Sequence, residues 1–272
     1  MAPKSDSPDV WTTGLTSVEP NKMLVRGYPL DELMGRVSFS EAVYLLVTGE
    51  LPSPSIRRLV DALLVGYIDD GASAPPAISA RQAGSIGAPV GNAVASGVLA
   101  FGGRYGAGVS AARRLLDDGL DMAGSSLLFA SGAADLAEHL VQRDRIPPPG
   151  FGHPVHATDP RVSRLLQIAN ELEVDHLYTQ YLRALEHALA RHPALVDEQL
   201  PINIDGAIAA VCGDLGLSVS LAEGLAMIAR VPGIVAHALE EQTRPLPLRN
   251  ISPAAHRYDG PSERRLRDRL GS

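Results

Sequence analysis

Apolar residues recur at helical spacing along most of this chain, and no regular strand–helix alternation interrupts them. That pattern excludes a doubly wound parallel sheet. Aromatic residues are scarce, at 4%, while Ala, Leu and Gly are abundant. Such a composition suits close-packed helices better than a β-sandwich, whose strands favour β-branched and aromatic side chains. The clearest helix follows Ser38. Ser38 and Glu41 form a capping box, Ala42, Val43, Leu45 and Leu46 continue the apolar face, and Gly49 and Pro52 stop it. A second begins near Pro54, with Ile56, Leu59, Val60, Leu63, Leu64 and Tyr67 on one face. Further helices are expected over 76–100, 108–117, 121–143, 160–191, 205–214 and 218–242. The glycine-bearing helices within 84–117 are candidate interface elements, because small residues permit close backbone approach. Between helices lie three glycine- or proline-rich joints, 101–108 (FGGRYGAG), 146–153 (IPPPGFGH) and 201–205 (PINID). Loops held by a rigid scaffold are where chemistry concentrates.

The 272 residues carry a formal charge of −7 and a single cysteine, Cys212. The acidic balance argues against a nucleic-acid partner, and one cysteine forms neither an intrachain disulfide nor a cysteine metal cluster. The N-terminus lacks a signal-peptide core and no uninterrupted apolar run reaches the roughly 18 residues of a membrane span. A cytoplasmic protein without a membrane partner is expected.

Among the joints, FGGRYGAG lacks the Lys-Ser/Thr of a phosphate loop and reads as a tight helix–helix turn. His153, His156 and Asp159 invite a metal reading, but Pro154 and Pro160 keep the stretch off a regular helix, and no metal is expected. His139, His176, His187 and His192 read as solvated. His153 follows Gly150-Phe151-Gly152, where backbone can approach a substrate closely, and histidine suits acid–base work near neutrality. Asp205 stands in the apolar Ile202–Gly206 corner just before a helix. It is either an N-cap or a desolvated base. Arg230 interrupts the apolar run Leu225–Val235 and requires an anionic partner, from protein or ligand. Together these residues suggest proton transfer at carbon on a carboxylate-bearing substrate.

Four segments, RGYPLDELMGRVSFSEAVYLLVTGELPS (26–53), PPGFGHPVHATDPR (148–161), INIDGAIAAV (202–211) and AMIARVPGIVAHALEEQ (226–242), resemble the citrate synthase superfamily in its short citryl-CoA lyase-like form. The lyase module of ATP-citrate lyase looks similar too. The resemblance implies an all-α, citrate synthase-like fold with a large helical domain and a smaller lobe at about 155–211. The family domain would span 20–261, after an N-terminal extension (1–19) and before a basic tail (262–272). It also implies a homodimer acting on coenzyme A thioesters, with no permanently bound cofactor. The expected reaction is Claisen condensation of an acyl-CoA with a 2-oxo acid, or the reverse cleavage.

By the same resemblance, Asp205 matches the aspartate that moves the thioester α-proton, and His153 the histidine that binds the 2-oxo carbonyl. Arg161 and Arg230 match arginines that clamp substrate carboxylates, and Arg249 the arginine lent across the dimer. Two positions depart from the pattern. Tyr105 stands where the synthases carry the enolate-stabilising histidine, and Asp70 in Asp69-Asp70-Gly71 replaces a histidine that contacts the 2-oxo acid. These departures keep two other readings open. One is a non-catalytic paralogue that binds CoA or a carboxylate; the other is an acyl-CoA enzyme of altered reaction, hydrolysis or dehydration.

Overall fold

The computed structural model describes residues 11–102, 108–124, 129–143, 146–172, 176–244, 248–249 and 251–264. Among these the order is a short antiparallel sheet followed by helices. Strands β1 (Thr16–Glu19), β2 (Lys22–Val25) and β3 (Tyr28–Pro29) pair in sequence order, with Thr16 opposite Val25 and Val25 opposite Tyr28. Arg26 and Gly27 take φ of +49° and +88° in the two-residue turn between β2 and β3, the positive φ that such hairpin turns demand. This sheet is absent from the expectations drawn from the sequence. Its strands are too short to show an alternating pattern.

A four-residue helix, α1 (Leu30–Leu33), leads into α2 (Phe39–Thr48) and α3 (Pro54–Gly66). The capping box forms as expected: Ser38 Oγ accepts from Glu41 N at 3.3 Å, and Glu41 Oε2 accepts from Ser38 N at 2.7 Å. Gly49 closes α2 with φ +95°, and Ser53 caps α3 ahead of Pro54. The single helix expected over 76–100 is two, α4 (Pro75–Ser85) and α5 (Val90–Leu99). Gly87 at φ +79° followed by Pro89 breaks it. Then come α6 (Gly108–Ala123) and α7 (Phe129–Gln142), so 121–123 finish one helix rather than begin the next. The span 160–191 is likewise two helices, α8 (Pro160–Glu171) and α9 (Leu177–Arg191).

The centre of the fold is α10 (Ile204–Asp214), in which every residue from Gly206 to Gly213 is buried. A helix that is apolar all round belongs inside, and α10 packs against α6, α8, α9 and α11 (Val219–Thr243). Its alanines and glycines let neighbours close in; Gly213, for example, lies directly on the Tyr178 ring. Leu59, Leu63, Leu116, Leu182, Leu185 and Ile208, each under 2% exposed, fill the surrounding core. Each such side chain contributes about 2 kcal/mol on burial. A second, smaller cluster of Ala80, Ala93, Ile234 and Ala238 seats α4 and α5 on the later half of α11. Here Gly84 and Gly97, expected to be either deeply buried or at an interface between copies, are buried and serve packing within the chain: a Cβ at 97 would lie 2.9 Å from Pro76 O, and one at 84 would lie 3.2 Å from Ala238 O.

Helix α11 has 25 residues and is long and apolar enough by length and composition alone to cross a bilayer, although Glu223 and Arg230 interrupt its apolar run. It is packed against α3, α4, α5, α6 and α10 and carries buried Arg230 and Glu241.

Candidate active site

Two loop corners are stitched together at the N-terminus of α10. Phe151 and Ile202 form an isolated antiparallel bridge. Gly152 N donates to Pro201 O at 2.8 Å, Asn203 N to Gly150 O at 3.0 Å, and Asn203 Nδ2 to Gly152 O at 3.0 Å. Gly150, at φ +89°, and Gly206 touch so closely that a Cβ on either would enter the other's backbone. The glycines of the FGHP corner and the INID corner are therefore a requirement of contact, not only of turning. One residue beyond this joint on one side is His153; two residues beyond on the other is Asp205.

The cap of α10 is Asn203, whose side chain accepts from Gly206 N at 3.1 Å. Of the two readings of Asp205, capping thus falls away and its carboxylate is left for other work. Asp205 sits in the first turn of α10, where Oδ1 accepts from the Tyr67 hydroxyl at 2.7 Å. Burial pushes its pKa above the ordinary carboxylate value; the Tyr67 hydrogen bond and the Arg230 charge pull the other way. Gly108, the first residue of α6, lies against the same carboxylate: a Cβ there would be 2.6 Å from Asp205 Cγ. A side chain at 108 would have to displace the Asp205 carboxylate.

His153 has a defined tautomer. Its Nδ1 accepts from Val155 N and from His156 N, both at 3.1 Å. A nitrogen receiving two backbone donors holds its lone pair, so the neutral ring carries its proton on Nε2. Burial, followed by the charge of His156, lowers the His153 pKa and favours that neutral form. The ring stacks on His156 with centroids 4.4 Å apart. Among the described residues, no group of three or more His, Cys, Asp or Glu is arranged to hold a metal ion.

The arginines assemble beside this joint. Asp159 caps α8 by accepting from Arg161 N at 2.9 Å, and its carboxylate grips the same residue's guanidinium in a fork, Nε–Oδ1 3.0 Å and Nη2–Oδ2 2.7 Å. Asp159 is 2% exposed, and this pairing holds its pKa down against the opposing effect of burial. Arg161 Nη1 reaches Asp70 Oδ1 at 3.2 Å, and Arg230 Nη1 lies 3.6 Å from Asp70 Oδ2. Asp70 is thus set between two guanidinium groups, which neutralise it. Arg230 is 3% exposed and stacks over the Tyr67 ring at 4.0 Å, and among the described residues its Nε and Nη1 are buried without a hydrogen-bond acceptor. The segment from Tyr67 to Asp70 is pinned to α11 at further points: His237 Nε2 meets Asp69 Oδ1 at 3.1 Å, and Gly233 lets the Ile68 carbonyl rest on the helix.

Asp205, Arg161, Arg230, Asp70 and His153 therefore come together, and Tyr67, which the helical pattern places only in the core, joins them. Arg249 does not. It binds Glu241 through Nε at 2.7 Å and Nη2 at 3.1 Å, eleven residues along α11 from Arg230, or about 16 Å at helical rise. Tyr105 lies outside the described residues. His192, expected in solvent, pairs through Nε2 with Glu138 at 2.9 Å and through Nδ1 accepts from Ala194 N.

Residues 52–250 match the family described as citrate synthase, C-terminal domain. Citryl-CoA lyase from Hydrogenobacter thermophilus superposes with a TM-score of 0.83 at 34% identity, over 96% of this chain and 99% of that one. ATP citrate lyase from Methanothrix soehngenii, in complex with citrate and coenzyme A, gives 0.81 at 20% identity over 95% of this chain and 43% of its own. Citrate synthase from Pyrobaculum aerophilum gives 0.67 at 20% over 85% and 55%. The matched span takes in the Asp70 segment, both stitched corners and α11, and the chain belongs to the citrate synthase family.

Proposed function

We propose that this protein makes or breaks the carbon–carbon bond between the α-carbon of a coenzyme A thioester and the carbonyl carbon of a 2-oxo acid. The reading is carried by the joint at the head of α10, which holds a desolvated carboxylate, Asp205, on one corner and, on the corner bonded to it, His153, an imidazole whose proton is fixed on Nε2. The name of the citryl-CoA lyase that matches nearly end to end supports the lyase direction.

In condensation, Asp205 as carboxylate takes the thioester α-proton; its raised pKa makes it a stronger base than an exposed aspartate. The enolate carbon attacks the oxo carbon. The oxygen that gains negative charge accepts the His153 Nε2–H hydrogen bond, which strengthens as the charge develops. In cleavage, the hydroxyl proton passes to solvent water, the His153 Nε2–H steadies the alkoxide oxygen as it collapses to the 2-oxo carbonyl and the carbon–carbon bond breaks, and protonated Asp205 delivers its proton to the enolate carbon. The hydroxyl proton lost balances the carbon-bound proton gained. Arg230, with two buried donors unfilled, receives a substrate carboxylate. Tyr105 would stabilise the thioester enolate, as the family resemblance implies, and Arg249 would act from a second copy in a homodimer.

The test is turnover of citryl-CoA and citramalyl-CoA by wild type, Asp205→Ala and His153→Ala, following release of the 2-oxo acid. Loss of at least a thousandfold in kcat for Asp205→Ala is expected. Equal rates for wild type and Asp205→Ala would sink the assignment. Thermal stabilisation by coenzyme A with no turnover of either thioester would make the chain a CoA-binding subunit instead.

A further inference from the structure

Donors and acceptors in the arginine cradle are unevenly filled. Every nitrogen of Arg161 already donates to an aspartate: Nε and Nη2 to Asp159, and Nη1 to Asp70. Asp159 is buried and also caps its helix, so it is a fixture of the fold. Arg230 is the opposite case. Its Nε and Nη1 are buried without an acceptor, and its ion pair with Asp70, at 3.6 Å, is too long for a hydrogen bond. Asp159 and Asp70 thus engage every nitrogen of Arg161, while among the described residues Arg230 keeps two nitrogens with no acceptor.

We propose that Asp70 sets substrate choice by acting as a built-in carboxylate, so that the cradle seats one carboxylate of the incoming acid rather than two. The acid preferred is a 2-oxo monocarboxylic acid, or the 3-hydroxyacyl-CoA formed from it, whose remaining substituent is uncharged. An acid with a second carboxylate must crowd that group against Asp70, because Arg161 has no nitrogen uncommitted and Arg230 is shared. Asp70 holds its place through interactions on two sides: Arg161 and Arg230 grip its carboxylate, while Asp69 accepts from Gly71 N at 3.1 Å and pairs with His237 on α11. The Asp70 side chain is 28% exposed, against 4% for Arg230. The resident carboxylate therefore stands at the rim and the unfilled donors lie beneath it. This inference rests on the carbon–carbon bond chemistry above and specifies its substrate.

The experiment compares two thioesters that differ by one group at C3, citramalyl-CoA with a methyl and citryl-CoA with a carboxymethyl, using the full chain and the variants Asp70→Asn and Asp70→Ser. Wild type is expected to favour citramalyl-CoA at least tenfold in kcat/KM. Both variants should move the ratio at least tenfold toward citryl-CoA, mainly through KM. A wild type that favours citryl-CoA, or variants with wild-type circular dichroism and thermal midpoint but an unchanged ratio, would overturn the proposal. Should no form cleave either thioester, the reaction assignment fails and binding decides the point. Lactate and malate, titrated calorimetrically, differ by the same kind of carboxylate. Malate affinity raised at least tenfold by Asp70→Asn, with lactate unaffected, supports the built-in carboxylate; equal changes for the two acids overturn it.

Discussion

Tyr67 holds the proposed base and the proposed carboxylate receptor with one side chain, its hydroxyl on Asp205 and its ring under Arg230. Tyr67→Phe separates these roles, since the ring stays and the hydrogen bond goes. That bond lowers the Asp205 pKa against burial, so its loss should raise the pKa further. In condensation, where Asp205 must be ionised, the acidic limb of the kcat profile then moves to higher pH. A profile superimposable on wild type would show that the hydroxyl does not tune Asp205. Gly108→Ala puts a methyl where the carboxylate stands; a folded protein with activity lowered at least a hundredfold is expected, checked by circular dichroism beside the assay. At this scale the sequence showed much of the site. Asp205, His153 and Arg230 stand out by type and context, while Arg161 and Asp70 stand out only through the family resemblance. Tyr67 stayed hidden because helical periodicity assigns it to the core, and only the fold shows that its polar tip reaches a residue 138 positions away.

Individual elements follow their local signals where caps and stops are strong. The capping box of α2 and the Ser53-Pro54 start of α3 were legible because a few adjacent residues decide them. The division of 76–100 and 160–191 into helix pairs was not, because apolar spacing continues across each break. The three short strands escaped for the opposite reason, being too brief for a period to appear. Ser38→Ala removes one side of the capping box and should cost about 1 kcal/mol in denaturant unfolding. The junction of α9 and α10 is pH-sensitive. Asp214, at the C-terminal end of α10, accepts from Tyr178 N at 2.7 Å and Thr179 N at 3.2 Å, yet burial raises its pKa to about 6. The folded state therefore holds the Asp214 proton more tightly than the unfolded state. This contribution to stability is complete below the ordinary value near 3.8 and is lost as pH rises through about 6. Asp214→Asn should flatten the fall in thermal midpoint across that window. An unchanged slope would place the pH dependence elsewhere.

For the molecule as a whole, α11 is the beam that joins the parts. Its Arg230 belongs to the cradle, its Ile234 and Ala238 seat α4 and α5, and its Glu241, 4% exposed, is gripped by Arg81 at 2.9 Å and Arg249 at 2.7 Å. Within one chain Arg249 serves that ion pair and not the cradle, so the proposed role of Arg249 in the site calls for a second copy. Arg249→Ala is expected to leave the thermal midpoint close to wild type, since Arg81 still meets Glu241, while lowering kcat/KM at least tenfold. Mixing it with an Asp205→Ala chain should restore part of the activity if sites are shared between copies. No recovery in such mixtures, with subunit exchange verified by mass, would rule out a shared site. The joint between the Gly150 and Gly206 backbones has a consequence for how this scaffold can change. Because the two corners are fused by direct main-chain contact, acid and imidazole travel as a single unit in any opening or closing of the protein. New substrates must then be admitted by redrawing the other wall, the stretch from Tyr67 to Gly71 that leans on α11, while the reacting pair keeps its spacing unaltered.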